Sequence, residues 1–372
     1  MPFQKKLYIA LKIDSIIENG RILFGRCLKM CKRNNSLDIA KGLAVLLMIW
    51  GHCIQFGNGS DFLQQQGYYD DVIYRSIYSF HMPLFAIIGG YLLSCSLKKR
   101  TTKSVLSSRL KSLAIPIIAW SLVNYIIEAS TYGTAESIVG GLKQYFWVLM
   151  GTLWFLWAML FCSVCVMLIH SACKDNVSVF IVVFVLNMIT PDSFNLNYFK
   201  FLYPFFAAGY LWKEEGIGKR LNKLLSSRMR FACVGGLFLI WVILLTQFKK
   251  EMFIYQSGFT LLGKGNPEKQ LLIDIFRVLI GLCGSVWMLL FANCISKTVL
   301  AKFLSTLGKN SLGIYIVNNY VNIYILKIFC TDMKQNAAWV IVLTCITTFV
   351  CLAISLLIGR NKSLNKLLLG GR

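Results

Sequence analysis

Apolar stretches of about 18–25 residues recur along this chain with only short polar connections between them, and a stretch of that length crosses roughly 30 Å of hydrocarbon as a helix. A segment surrounded by lipid must satisfy its own backbone polar groups, so such stretches fold as helices. Ten spans are predicted, over 38–57, 72–97, 112–130, 145–170, 177–190, 198–213, 231–247, 270–294, 305–328 and 337–359. Composition agrees: 56% of the 372 residues are apolar and only 15% are charged, too little polar surface for a soluble domain. The expected fold is an all-α, polytopic transmembrane helix bundle of about ten spans, in the inner or plasma membrane of a cell, with membrane lipids around it.

The net charge of +23 would suit nucleic acid in a soluble protein. Here the basic residues instead crowd alternate connections: Lys29, Lys32 and Arg33; Lys98, Lys99, Arg100 and Lys103; Lys213, Lys219, Arg220 and Arg230; Arg360, Lys362 and Lys366. The positive-inside rule then predicts cytoplasmic N- and C-termini, and no nucleic-acid partner is expected. One connection on the opposite side, with Lys249, Lys250, Lys264 and Lys269, runs against this topology. Residues 1–33 hold no apolar core long enough for a signal peptide and read as a basic interfacial segment, and a translation start at Met30 would leave everything used below intact. Residues 34–360 form the transmembrane domain, and 361–372 a basic cytoplasmic tail. The 13 cysteines are scattered, and those in spans, such as Cys53, Cys95, Cys283 and Cys351, act as small apolar side chains. Cys162 and Cys165 lack a second ligand pair, so no metal is expected.

Ionisable groups within a span are costly and are candidates for function. Lys41 and His52 stand eleven residues apart on the first span, three turns plus about 20°, hence on one stripe and roughly 16 Å apart, with Asp38 nearby. Lys41 either snorkels to the headgroups or works with that stripe. An imidazole at depth, such as His52, exchanges a proton near neutral pH, as a general base must. On the second span Tyr74, Tyr78 and His81 share a face, and an antiparallel hairpin brings His81 to the depth of His52. Pro83 breaks the backbone ladder just beyond; the competing reading is a proline kink with a locally satisfied histidine. Asn124 and Glu128 share a face of the third span. Asp274 and Arg277, three residues apart, read first as an intrahelical ion pair, with Arg277 alternatively holding a substrate carboxylate or offsetting Glu128. His170, beside a polar loop, reads as an ordinary interfacial residue.

The run Leu37-Asp38-Ile39-Ala40-Lys41-Gly42 leading to Gly51-His52, followed by Ser79-Phe80-His81-Met82-Pro83-Leu84-Phe85 and Gly89-Gly90-Tyr91-Leu92, resembles the acyltransferase 3 family of membrane O-acyltransferases. The likeness continues through Arg109-Leu110-Lys111, Ile115-Pro116, Leu153-Trp154-Phe155-Leu156, Tyr203-Pro204-Phe205-Phe206, Gly209-Tyr210, Arg277, Leu307-Gly308-Lys309-Asn310-Ser311-Leu312 and Ile314-Tyr315, over roughly residues 37–358. The resemblance implies transfer of an acetyl or similar group from a cytoplasmic acyl-CoA, here acetyl-CoA, to a sugar or glycan acceptor of the cell envelope. It implies that Lys41 and His52 fill the first span's basic and histidine places, and that Arg109 is the first of an arginine pair. Ser112 stands where the second would be, with Lys111 beside it, and Asn318 where a histidine often follows the Ile-Tyr motif.

On that reading Arg109 and Lys111 hold the donor's phosphates, with Arg100 and Lys103 either helping or simply marking the cytoplasmic side. His52, His81 and Lys41 are the catalytic candidates, His52 acting as general base or as nucleophile. Tyr78, Asn124, Glu128 and Arg277 are the acceptor-side candidates, His81, Tyr78 and Asn124 for orienting the acceptor or stabilising the oxyanion. Two other classes compete: a carrier of a lipid-linked sugar or acyl donor, since buried charges also mark transport routes, and a non-catalytic relative.

Overall fold

The computed structural model describes residues 35–133, 137–193, 196–216, 227–263 and 265–371. The basic segment 1–33, together with Lys219, Arg220 and Lys264, lies outside the described residues. The long helices are α1 (Asn35–Phe56), α2 (Val72–Tyr78), α3 (His81–Leu97), α4 (Thr102–Arg109), α5 (Ile115–Tyr132), α6 (Ile138–Gly151), α7 (Trp154–Cys173), α8 (Val177–Ile189), α9 (Leu196–Glu214), α10 (Ser227–Thr246), α11 (Pro267–Cys294), α12 (Leu300–Lys309), α13 (Ser311–Tyr320), α14 (Ala337–Arg360) and α15 (Lys362–Leu368). Among the described residues there is no strand, and seven helices are long and apolar enough to cross a bilayer, with Val177–Ile189 and Ala232–Thr246 as shorter apolar ones. The fold is thus an all-α polytopic bundle.

Contacts between the ends of the spans sort those ends onto two faces. On one face the Ser36 hydroxyl, at the start of α1, donates to Asn293 at the end of α11 (3.1 Å), and Lys98 pairs with Glu214 (3.0 Å). The charged run Lys98–Lys103 and Arg360 belong to this basic face. On the far face the Ser60 amide donates to the Thr331 carbonyl (2.9 Å), the Asn336 amide to Asn58 (3.1 Å), and the Leu261 amide to the Met188 carbonyl (2.8 Å). Two of the far-face lysines that run against the charge pattern are locally engaged: Lys269 pairs with Glu251 at 2.6 Å, and Lys250 lies over the Tyr69 ring, 5.5 Å from its centroid.

Lipid supplies no hydrophobic drive between helices, so close backbone packing at small residues holds such bundles together. Two crossings rest on glycines. At the first, α1 meets α12: a Cβ at Gly42 would fall 1.9 Å from the Leu304 carbonyl oxygen, and one at Gly308 would fall 1.8 Å from that of Asp38. At the second, α3 meets α9: a Cβ at Gly90 would fall 1.9 Å from the Phe206 carbonyl oxygen, and one at Gly209 would fall 2.0 Å from that of Ile87.

Several expected spans are interrupted. The span predicted over 145–170 is two helices, α6 and α7, separated at Thr152 and Leu153, where Leu153 adopts φ 51°. Left-handed backbone costs a bulky residue about 1–2 kcal/mol, and burial of Leu153, only 2% exposed, offsets it. The second span breaks at Ser79–Phe80, because Pro83 offers no N–H to the Ser79 carbonyl. The third span carries a π turn at Leu110–Ala114, where Pro116 likewise leaves the Ser112 carbonyl without its helical donor. The tail 361–372 is more than a loose basic segment. Its helix α15 packs against α5, the Trp120 indole donates to the Leu368 carbonyl (3.0 Å), and Gly370, at φ +72°, sits directly on Ser112.

Adding a side chain at the glycine crossings must push the helices apart. Gly90→Leu and Gly308→Leu are each expected to destabilise the protein by about 1–3 kcal/mol or more, read as a lowered midpoint of thermal unfolding in detergent, whereas Gly235→Ala, with nothing within 4 Å of the new Cβ, leaves it near wild type.

Candidate active site

The break in the second span builds the site. The carbonyl of Ile77 accepts from the Phe80 amide at 3.3 Å and from His81 Nδ1 at 2.8 Å. A carbonyl only accepts, so His81 carries its proton on Nδ1 and presents Nε2 as a lone pair. The kinked backbone is held from outside: Ser285 donates to the Phe80 carbonyl (3.3 Å), and the Trp241 indole donates to the Ser79 hydroxyl (3.1 Å). The Tyr78 ring stands edge-on to the His81 imidazole, centroids 4.8 Å apart.

Helix α1 brings His52 to the same place. A Cβ at Gly51 would fall 2.8 Å from the Tyr78 ring, so the glycine lets α1 lie against α2 one residue before His52. Tyr78 thus lies between the two helices, its ring against Gly51 on one side and 4.8 Å from the His81 imidazole on the other. His52 Nδ1 is 2.7 Å from the side-chain oxygen of Asn318 on α13, and Asn318 is in turn paired with Asn322 at 3.0 Å. With that oxygen facing it, His52 Nδ1 is the donor and Nε2 the basic nitrogen. Sequence reasoning saw Asn318 only as a departure from a pattern; its contact with His52 needed the packing of α13 on α1.

Around these groups the bundle is not filled. His52, Tyr78, Trp154, Tyr198 and Tyr315 are half-buried, and Tyr255 keeps 39% of its surface, although all belong to the bundle interior. The Tyr255 ring lies 5.6 Å from that of Tyr198, 6.0 Å from that of Trp154 and 6.4 Å from that of Tyr78, centroid to centroid. The accessible surface these side chains keep marks a chamber between them, and Tyr78, Trp154 and Tyr255 border one cavity within it. Tyr255 reaches it on a far-face loop that dips into the bundle and buries Phe253, Ile254 and Phe259.

Arg277 holds that loop. Its guanidinium, 2% exposed, donates to the carbonyls of Met252 (2.7 Å), Phe253 (2.9 Å), Gly258 (2.5 Å) and Glu251 (3.3 Å), and to the Ser257 hydroxyl, while pairing with Asp274 at 2.8 Å. The intrahelical ion pair read from the sequence is present, but most of the arginine's donors organise backbone. Asp192 grips the loop from the other side, accepting from the Phe259 amide at 2.6 Å while it pairs with the buried Lys200 at 2.8 Å. That cavity, about 20 Å³ and bordered by Met82, Phe253 and Arg277 as well as by Tyr78, Trp154 and Tyr255, has room for about one water.

The other predicted residues lie apart from the histidines. Lys41 pairs with Asp38 at 2.7 Å, about three turns of α1 away from His52. Arg109 is half-buried and Lys111 exposed, both at the basic face around the π turn. Asn124 donates to the Thr152 hydroxyl at 2.9 Å and so secures the break before Leu153; its side-chain oxygen has no hydrogen-bond partner among the described residues. Glu128 is half-buried one turn further along α5. His170, expected to be interfacial, joins Asp175 and Tyr210 in a cluster with contacts of 2.9 Å. No three His, Cys, Asp or Glu side chains converge as a metal site among the described residues.

Residues 34–356 match the family described as Acyltransferase domain. The chain is 24% identical over 306 residues to Nodulation protein NolL of Mesorhizobium japonicum, covering 78% of this chain and 76% of that protein. It is 25% identical over 298 residues to Nodulation protein NolL of Sinorhizobium fredii, with 78% of each covered. No solved structure matches.

Two substitutions separate orienting from structural roles. Asn318→Ala removes the hydrogen bond that orients His52 and leaves the buried Asn322 without its partner; it is expected to lower turnover about tenfold with unchanged donor KM, and to cost about 1–3 kcal/mol of stability for the unpaired amide. Arg277→Ala leaves Asp274 buried without its cation, a loss of about 3–5 kcal/mol. It is expected to lower the unfolding midpoint sharply and to open the loop around Tyr255 to protease.

Proposed function

The chain belongs to the acyltransferase 3 family, and on that premise we propose that this membrane acyltransferase moves an acetyl or similar acyl group from cytoplasmic acyl-CoA to a hydroxyl of a sugar in a glycan or lipid-linked acceptor. The observation that carries the reading is the pair of imidazoles, His52 and His81, each with Nδ1 engaged by a carbonyl or amide oxygen so that Nε2 carries the lone pair, His52 half-buried at the chamber and His81 buried against Tyr78. A neutral imidazole of that tautomer accepts a proton, as attack by an alcohol requires.

The donor approaches from the basic face. Arg109 and Lys111 hold its phosphates by charge-assisted hydrogen bonds, and the pantetheine arm runs into the bundle. The acceptor hydroxyl then attacks the thioester carbonyl carbon while His52 Nε2 takes its proton. The tetrahedral oxyanion accepts a hydrogen bond from the Tyr78 hydroxyl. The carbon–sulfur bond breaks, the ester forms, and the proton passes from His52 to the departing thiolate. His81 accepts through Nε2 and positions the acceptor rather than donating to the oxyanion. Lys41 and Asp38 act at the inner end of α1, on the donor's path, with both ends of the described chain on the cytoplasmic side.

A carrier would use the same buried charges but would leave the thioester intact. Membranes containing this protein, given labelled acetyl-CoA, are expected to deposit alkali-labile label on glycan, whereas membranes lacking it do not. Label that enters vesicles still joined to coenzyme A would overturn the proposal in favour of transport.

A further inference from the structure

Three aromatic rings form a continuous wall at the far-face end of the chamber. Trp154 and Tyr198 lie 4.3 Å apart between centroids, Tyr198 and Tyr255 5.6 Å, and Trp154 and Tyr255 6.0 Å. Tyr255 continues to Tyr78 at 6.4 Å, and Tyr78 touches His81 at 4.8 Å. The wall thus leads by one further ring to the candidate reacting groups.

Tryptophan and tyrosine are common at membrane surfaces, where they sit among headgroups as an aromatic belt. This set differs in where it faces. Its rings contact one another and reach Tyr78, and Trp154, Tyr255 and Tyr78 border one cavity while Tyr255 keeps 39% of its surface accessible. The wall is also built at some cost. Trp154 follows Leu153, the buried residue held at φ 51°, and that turn is secured by Asn124 through Thr152. Tyr255 sits on the loop that Arg277 and Asp192 clamp from two sides. Strained or over-determined backbone of this kind gathers where a side chain must be held in one place.

Given the proposed acyl transfer, on which this inference rests, we propose that Trp154, Tyr198 and Tyr255 are the acceptor subsite and bind a pyranose ring. The apolar face of the sugar stacks on the indole and phenol rings, while the hydroxyls of Tyr198 and Tyr255 bond to its rim. The wall lies at the far face and Arg109 at the basic face, so acceptor and donor reach His52 and His81 from opposite ends of the chamber. The wall selects for a ring: a linear alcohol meets no stacking partner.

The test uses the full-length protein in lipid nanodiscs, with methyl glucoside, galactoside and rhamnoside as probes and n-hexanol as the ringless control. Saturation-transfer NMR is expected to detect ring protons of at least one pyranoside on the wild type. That signal is lost in Trp154→Ala and Tyr255→Ala, retained in Trp154→Phe, and retained in His52→Ala. Transfer to the same sugar shows an acceptor KM raised about tenfold for each ring removed, with kcat and the acetyl-CoA KM held. Equal transfer to hexanol, absence of pyranoside binding by the wild type, or alanine variants that bind as the wild type does would overturn the subsite. Sugar binding that depends on these rings, with no release of coenzyme A thiol, would leave the subsite standing and refute the acyl-transfer reading instead.

Discussion

Everything in the candidate site depends on how closely α1 approaches its neighbours. Gly42 and Gly308 bring its backbone against α12, and Gly51 admits the Tyr78 ring, which in turn abuts His81, while Asn318, one helix beyond Gly308, meets His52 from the other side. With no hydrophobic drive between helices inside a bilayer, such contacts rely on the absence of a side chain. A single methyl group at Gly42 or Gly308 would have to enter a backbone carbonyl. The glycines therefore set how closely α1 lies against α2 and α12.

The second constraint is the broken helix. Pro83 frees the turn that precedes it, and the bend brings the His81 side chain back onto the Ile77 carbonyl. That one bond fixes which ring nitrogen is basic. A straight helix would offer the Ile77 carbonyl to the His81 backbone instead and leave the imidazole's tautomer undetermined.

Much of this was legible in the sequence, for physical reasons. Helices are local, so apolar length and charge pattern foretold most of them, and ionisable groups at depth stood out because burying them is costly. His52, His81 and Tyr78 emerged in that way, as did the Asp274–Arg277 pair. The breaks next to Pro83 and Pro116 carry a visible cause. The break at Leu153 does not, because a left-handed leucine leaves no mark in composition and is sustained by contacts from elsewhere in the chain. Asn318, Tyr198 and Tyr255 were missed for a related reason. An asparagine or tyrosine near a helix end is unremarked until distant segments bring it to the chamber. The use of Arg277 to hold a loop likewise depends on carbonyls some twenty residues upstream.

In the proposed reaction the imidazole of His52 performs the proton transfer of acyl transfer. Release of coenzyme A thiol from acetyl-CoA, followed with purified wild-type and His52→Ala protein in the presence of acceptor glycan, tests it most directly. The account predicts a loss of about 10²–10⁴-fold in turnover with the donor still bound at wild-type affinity. Full turnover by the alanine variant would contradict it.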